Sequence, residues 1–180
     1  VLLSRGAAKV YAVDVGTNQL AWKLRQDPRV VVQEQTNARN LDGSIIPEPV
    51  DIVVCDASFI GLAKVLEAPL KLAKPDATLV ALVKPQFEAG REEVGKGGVV
   101  RDPALRAAAV VEVAQEAAAL EWGAVGVATS PLPGPAGNVE YFLWLRHGPA
   151  SVTEEDIAEE IGRPLGADAS RSEDPGVADE

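Results

Sequence analysis

Apolar residues along the chain come in short bursts, separated by polar breaks marked with Gly and Pro. Residues 9–15 (KVYAVDV) form a β-rich run closed by Gly16. Residues 18–25 hold helix formers and stop at Asp27-Pro28. Residues 29–34, with Val30, Val31 and Val32, predict a second strand. Residues 50–55 (VDIVVC) are nearly all apolar, the pattern of a strand buried on both faces. A helix is predicted over 61–72, a fourth strand over 78–83 (TLVALV), and a loop over 84–102. Asp102 then caps an Ala-rich helix that starts at Pro103 and runs to about Trp122. Residues 125–130 and 139–145 are two further strands. The loop between them is too short for a helical crossover, so they should pair antiparallel. Strands alternating with helices predict an α/β fold with a doubly wound, largely parallel sheet.

Composition divides the chain near Gly148. Residues 149–180 carry ten acidic side chains and two arginines, so they hold −8 of the total charge of −10. One weak helix is expected there over 152–161, capped by Thr153 with acidic residues in its first turn, and the rest of this tail is expected to be disordered. Residues 1–148 are nearly neutral and form the folded domain. The net acidity of the whole chain would argue against a nucleic-acid partner, but the acidity lies in the tail. One cysteine excludes an intramolecular disulfide framework and suits a reducing compartment. No apolar run reaches the ~18 residues of a membrane span. The chain contains no methionine and begins Val1-Leu2-Leu3, which reads as a fragment or an incomplete gene model.

Candidate chemistry sits at strand ends, where ligands bind in such sheets. Asp14, Asp56 and Lys84 each close a predicted strand. A carboxylate at Asp14 offers two acceptor oxygens to a ribose diol, or is a solvated loop residue. Asp56 is either a site carboxylate or the cap of the next helix. Pro85 holds Lys84 extended, so its side chain should project from the sheet end, as a site group or as a surface lysine. Cys55 reads as a small buried strand residue, with no histidine to activate it. The Gly-rich segment 86–101 brings Arg91, Lys96 and Arg101 near this end, where a mobile basic loop can fold over phosphates. Its glutamates nearly cancel that charge. No metal site is expected.

Several motifs together resemble the TlyA family of FtsJ-like methyltransferases, also known under the haemolysin name. They are Val13-Asp14-Val15-Gly16, Gln19-Leu20-Ala21-Trp22-Lys23-Leu24-Arg25, Thr36-Asn37-Ala38-Arg39, Lys84-Pro85-Gln86-Phe87-Glu88, Gly95-Lys96-Gly97-Gly98-Val99-Val100-Arg101-Asp102 and Gly137-Asn138-Val139-Glu140. The resemblance covers residues 1 to about 146, and the stretch from Val83 to Asp102 is its most specific part.

The resemblance implies a class I S-adenosyl-L-methionine-dependent methyltransferase that modifies ribose 2′-hydroxyls of ribosomal RNA, at cytidine, in the cytoplasm. Its Lys-Asp-Lys-Glu catalytic set matches Asp56, Lys84 and Glu140, with the first lysine falling before Val1. Glu140 is expected to take a hydrogen bond from Lys84 or to orient the hydroxyl. Asp14, Val15, Asn37, Ala38 and Asp56 match the cofactor-binding positions, and Asn37-Ala38 the adenine segment. The Gly-rich cofactor loop, the central first strand and an RNA-binding domain would also precede Val1, and residues 1–6 match the end of a helix. A chain without them is expected to be inactive and to fold poorly. Two other readings compete: a nicotinamide-binding oxidoreductase, and a membrane-active haemolysin.

Overall fold

The computed structural model describes residues 1–90, 94–95 and 97–163. The chain opens on a 3₁₀ turn, Leu3–Arg5, closed by Gly6 in the left-handed region at φ 93°. In order follow β1 (Val10–Val13), α1 (Trp22–Arg25), β2 (Val30–Gln33), β3 (Val50–Cys55), α2 (Ala63–Lys71), β4 (Ala73–Val83), α3 (Pro85–Glu88), α4 (Pro103–Ala119), β5 (Trp122–Thr129), β6 (Tyr141–His147) and α5 (Glu154–Gly162).

The strands form two groups. β1 and β2 pair in parallel as a two-stranded ribbon. The other four form a sheet in the order β3-β4-β6-β5, with β3 and β4 parallel and β6 antiparallel to both its neighbours. The gap between the groups falls between β1 and β3, where the resemblance puts the family's first strand. Glu48, just before β3, bridges it by accepting hydrogen bonds from Lys9 (2.6 Å) and Tyr11 (2.8 Å).

Side chains alternate across the pleat, so each strand offers one face to the helices. Leu79, Ala81 and Val83 of β4 and Tyr141, Leu143 and Leu145 of β6 are buried. They meet Leu62, Leu66 and Leu70 beside and along α2, Val110, Val113 and Ala117 of α4, and Ile157 and Ile161 of α5. The opposite face leaves Ile52 51% and Val54 58% exposed, with Phe142 and Trp144 also open. This corrects the expectation that residues 50–55 are buried on both sides. β3 is an edge strand here, and among the described residues no helix packs over its second face.

Three further expectations shift. The helix expected over 18–25 shrinks to the single turn of α1, because Asn18 takes a left-handed conformation (φ 57°) and Glu34 accepts the Gln19 N–H. The loop over 84–102 contains the single turn of α3. The acidic stretch from residue 149 is packed, up to residue 163, against the body. Thr153 and Asp156 form a reciprocal capping box, and Ile157 and Ile161, four apart, bury themselves on α4 and β5. Glu160 fastens this helix by accepting from Thr129 N and Oγ1. The rest of that stretch, 164–180, lies outside the described residues.

Candidate active site

Strand register builds the site. Cys55 pairs with Ala81, so Asp56 and Lys84 leave adjacent parallel strands at the same end of the sheet. Val83 pairs with Tyr141, which sets Glu140 next to Lys84 along the antiparallel ladder. Lys84 is extended (φ −116°, ψ 95°) ahead of Pro85, which starts α3. Its Nζ lies 2.6 Å from Asp56 Oδ1 and donates to Ser58 Oγ at 2.9 Å. The lysine side chain is 12% exposed and the aspartate 69%, so the pair sits at a mouth, with the cation inside and the anion at the rim.

Glu140 is buried and accepts from Gln86 Nε2 at 3.1 Å. Of the two roles the resemblance suggests for Glu140, accepting from Lys84 or orienting the hydroxyl, the first is not made among the described residues, where Gln86 is the donor. Gln86 Oε1 is buried with no partner among the described residues. A Cβ on Gly134 would stand 2.7 Å from Glu140 Oε1, so glycine there makes room for the carboxylate. Asn138, also buried, accepts from Val100 N (3.0 Å) and donates to Gly98 O (2.8 Å), pinning the far end of the glycine-rich loop beside Glu140. Arg101 is exposed at the end of that loop. Arg91 and Lys96 lie outside the described residues.

The loop after β3 carries Ser58 and Phe59. Phe59 has φ 63°, strained for an aromatic residue, and is 90% exposed with its ring 4.9 Å from that of Phe87. Glu88 accepts the Leu62 N–H with both oxygens, at 3.0 and 3.2 Å. Burial pushes its carboxyl up to about 7, opposed by that N–H, with Glu116 and Glu112 adding to the rise and Lys64 countering it. Burial also raises the Cys55 thiol, which fits a packing role.

At the end of β1, Asp14 Oδ1 accepts the Gly16 N–H at 2.7 Å. A cavity of roughly 140 Å³, lined by Ala12, Val13, Asp14, Gln19, Leu20 and Glu34, opens beside it. Glu34 is held by Arg25 at 2.5 Å, and its carboxyl is lowered first by the Asn18 backbone and then by Arg25. Val15 is exposed. Asn37 Oδ1 accepts from Arg39 N and Nε, capping a 3₁₀ turn that contains Ala38.

Ser58, Gln86, Glu88 and Glu34 were not singled out from the sequence. Ser58 and Gln86 each stand two residues beyond a strand-end site residue, and that spacing was the available signal.

A model of the FtsJ-like methyltransferase family matches residues 1–147. The chain belongs to this family. A Mycobacterium tuberculosis protein named 16S/23S rRNA (cytidine-2′-O)-methyltransferase TlyA is 63% identical over 146 residues, covering 81% of this chain and 54% of that protein. Hemolysin A of Brachyspira hyodysenteriae is 40% identical over 142 residues, covering 78% and 59%. A solved Streptococcus thermophilus structure that also carries the hemolysin name superposes with a TM-score of 0.84 at 39% identity, covering 89% and 59%. The chain thus spans a little over half the length of these relatives.

Family membership makes the fold the α/β methyltransferase variant of the doubly wound sheet and sets aside the nicotinamide reading. Among the described residues no helix is long and apolar enough to cross a membrane.

Proposed function

We propose that the complete gene product transfers a methyl group from S-adenosyl-L-methionine to the ribose 2′-hydroxyl of cytidine in ribosomal RNA. The observation that carries this reading is the arrangement of Lys84 Nζ between Asp56 and Ser58, with Glu140 immediately before the neighbouring strand. The relative at 63% identity bears the name of that activity.

Asp14 suits the donor's ribose, because one carboxylate oxygen serves Gly16 and the other can accept from a hydroxyl. Val15, Asn37-Ala38 and Asp56 would complete the donor site. When bound, the donor supplies an electrophilic methyl on a sulfonium. Catalysis by the chain is then mainly positioning, since the displacement is in line. Lys84, a cation beside Asp56 at rest, first releases a proton to solvent; it then takes the hydroxyl proton as the oxygen attacks, and Asp56 stabilises the ammonium that re-forms. Ser58 fixes the direction of Nζ. Glu140, through Gln86, orients the sugar beside it. Phe59 offers an exposed ring for a base to stack on. Arg91, Lys96 and Arg101 meet phosphates, and a ribosomal substrate puts the protein in the cytoplasm.

The test is labelled methyl transfer to ribosomal RNA by the complete protein and by Lys84→Ala. A wild-type signal confined to ribose 2′-O positions and lost in the variant supports the reading. Equal activity of the two removes Lys84 as the base.

A further inference from the structure

Helix α2 begins without a side-chain cap of its own. Its N-cap position is Leu62, whose side chain cannot accept a hydrogen bond; the Lys64 and Val65 amides bond back to the Gly61 and Leu62 carbonyls, which leaves the Leu62 N–H to an outside partner. Glu88 supplies one from α3, with both oxygens on the Leu62 N–H. Gly61 permits the approach, since a Cβ there would stand 3.0 Å from Glu88 Oε2. A second tie runs alongside, the Phe59–Phe87 ring contact. A third is the Lys84 pairing with Asp56 and Ser58. Residues 56–62 and 84–88 are therefore joined at three successive points. Glu88 is the one farthest from the reacting centre, and it holds the C-terminal root of the loop that carries Ser58 and the strained Phe59.

We propose that Glu88 is a positioning residue: by capping α2 from α3 it fixes the 57–61 loop, and so holds Asp56 and Ser58 in register with Lys84 Nζ. This rests on the methyl-transfer reading above. An unanchored loop would let Phe59 relax out of its left-handed conformation and carry Ser58 off the lysine. The groups facing Glu88 are Glu112 and Glu116 of α4, Lys64 of α2 and Cys55 of β3. Two of the four are carboxylates, so this carboxyl is kept where apolar burial and like charge both oppose its ionisation. What it gains in return is the Leu62 amide.

The experiment compares Glu88→Gln, Glu88→Asp and Glu88→Ala in the complete protein. Gln keeps an acceptor at the same reach, while Asp keeps the charge one methylene short. We expect Gln to retain kcat within about threefold of wild type, and Asp and Ala to lose roughly ten- to a hundredfold, with KM for the methyl donor rising by much less than kcat falls, since Asp56 is one of several donor contacts. Hydrogen exchange at residues 57–62 should quicken in Asp and Ala but not in Gln. If Ala fails to fold, the Asp–Gln order carries the test. Asp outperforming Gln, all three matching wild type, or a loss confined to KM would overturn the proposal. A wild-type protein without methyl transfer, but with the expected exchange pattern, would instead refute the methyl-transfer reading and leave the loop anchor standing.

Discussion

Gln86 Nε2 donates to the buried carboxylate of Glu140 across 54 residues of sequence, joining the turn after β4 to the start of β6. Replacing Gln86 by Leu removes that donor and leaves a buried carboxylate without its partner. The expected cost is about 1–3 kcal/mol of stability. Gln86→Glu, which sets two carboxylates against each other, should cost more. Urea unfolding of the two variants checks the order.

Lys84, Asp56 and Ser58 should differ in rank. Lys84→Ala is expected to lower kcat by roughly 10²–10⁴-fold, the range for a general base. Asp56→Asn should approach it, because the ammonium formed in the reaction loses its counter-charge. Ser58→Ala removes one 2.9 Å bond to Nζ and should cost several-fold only. Single-turnover methyl transfer separates these effects from binding.

Gly134 tests the placement of Glu140. An added Cβ would stand 2.7 Å from Glu140 Oε1, and its other close neighbour, Asn138 Cβ at 3.7 Å, is an ordinary contact, so the backbone tolerates Ala while the carboxylate must turn away. Gly134→Ala should therefore lose activity by tenfold or so and about 1–3 kcal/mol of stability, because the oxygen it displaces is the one Gln86 donates to. A variant that unfolds early but retains its folded-state rate would contradict this.

Glu88 should leave a mark on the pH dependence of stability. Its carboxyl is raised from an ordinary 4.5 to about 7, chiefly by burial, so the fold favours the neutral form. That contribution is complete below about pH 4.5 and is lost as pH rises through about 7. Thermal unfolding should show Glu88→Gln gaining on wild type across this window. Parallel curves would argue that the site is better hydrated than its burial suggests.

Ile157 is 2% exposed on α5. Ile157→Ala should cost about 2–4 kcal/mol, as for a core aliphatic residue. A change below half a kcal/mol would mean that residues 154–162 are dispensable to the body.

The central strands were legible because a run of β-rich apolar residues between turn residues is a local signal. Residues 78–83 fall within β4 and residues 141–145 within β6, and the short link before β6 announced antiparallel pairing. Asp56 and Lys84 could be found because strand ends converge in such a sheet. The partner of Glu140 could not be read in the same way. Register sets Glu140 beside Lys84, but the turn of α3 brings the Gln86 amide to the Glu140 carboxylate, and one-turn helices leave little trace in sequence. The stretch 50–55 misled because an apolar run reports what a strand prefers, whereas the neighbours actually present decide its exposure. In α5 the abundance of acid concealed two isoleucines four residues apart.

Strand order also bears on how the chain is made. β6 is inserted between β4 and β5, although it follows both in sequence. While the ribosome is still adding residues before 141, β4 and β5 have no partner to join them, and Lys84 waits beside an open edge. Glu140 arrives with the strand that closes that edge. Lys84 and Glu140 therefore meet only when the sheet itself is completed, whereas Lys84, Asp56 and Ser58 can meet as soon as β3 and β4 have paired, so a nascent chain assembles this end of the sheet in two steps.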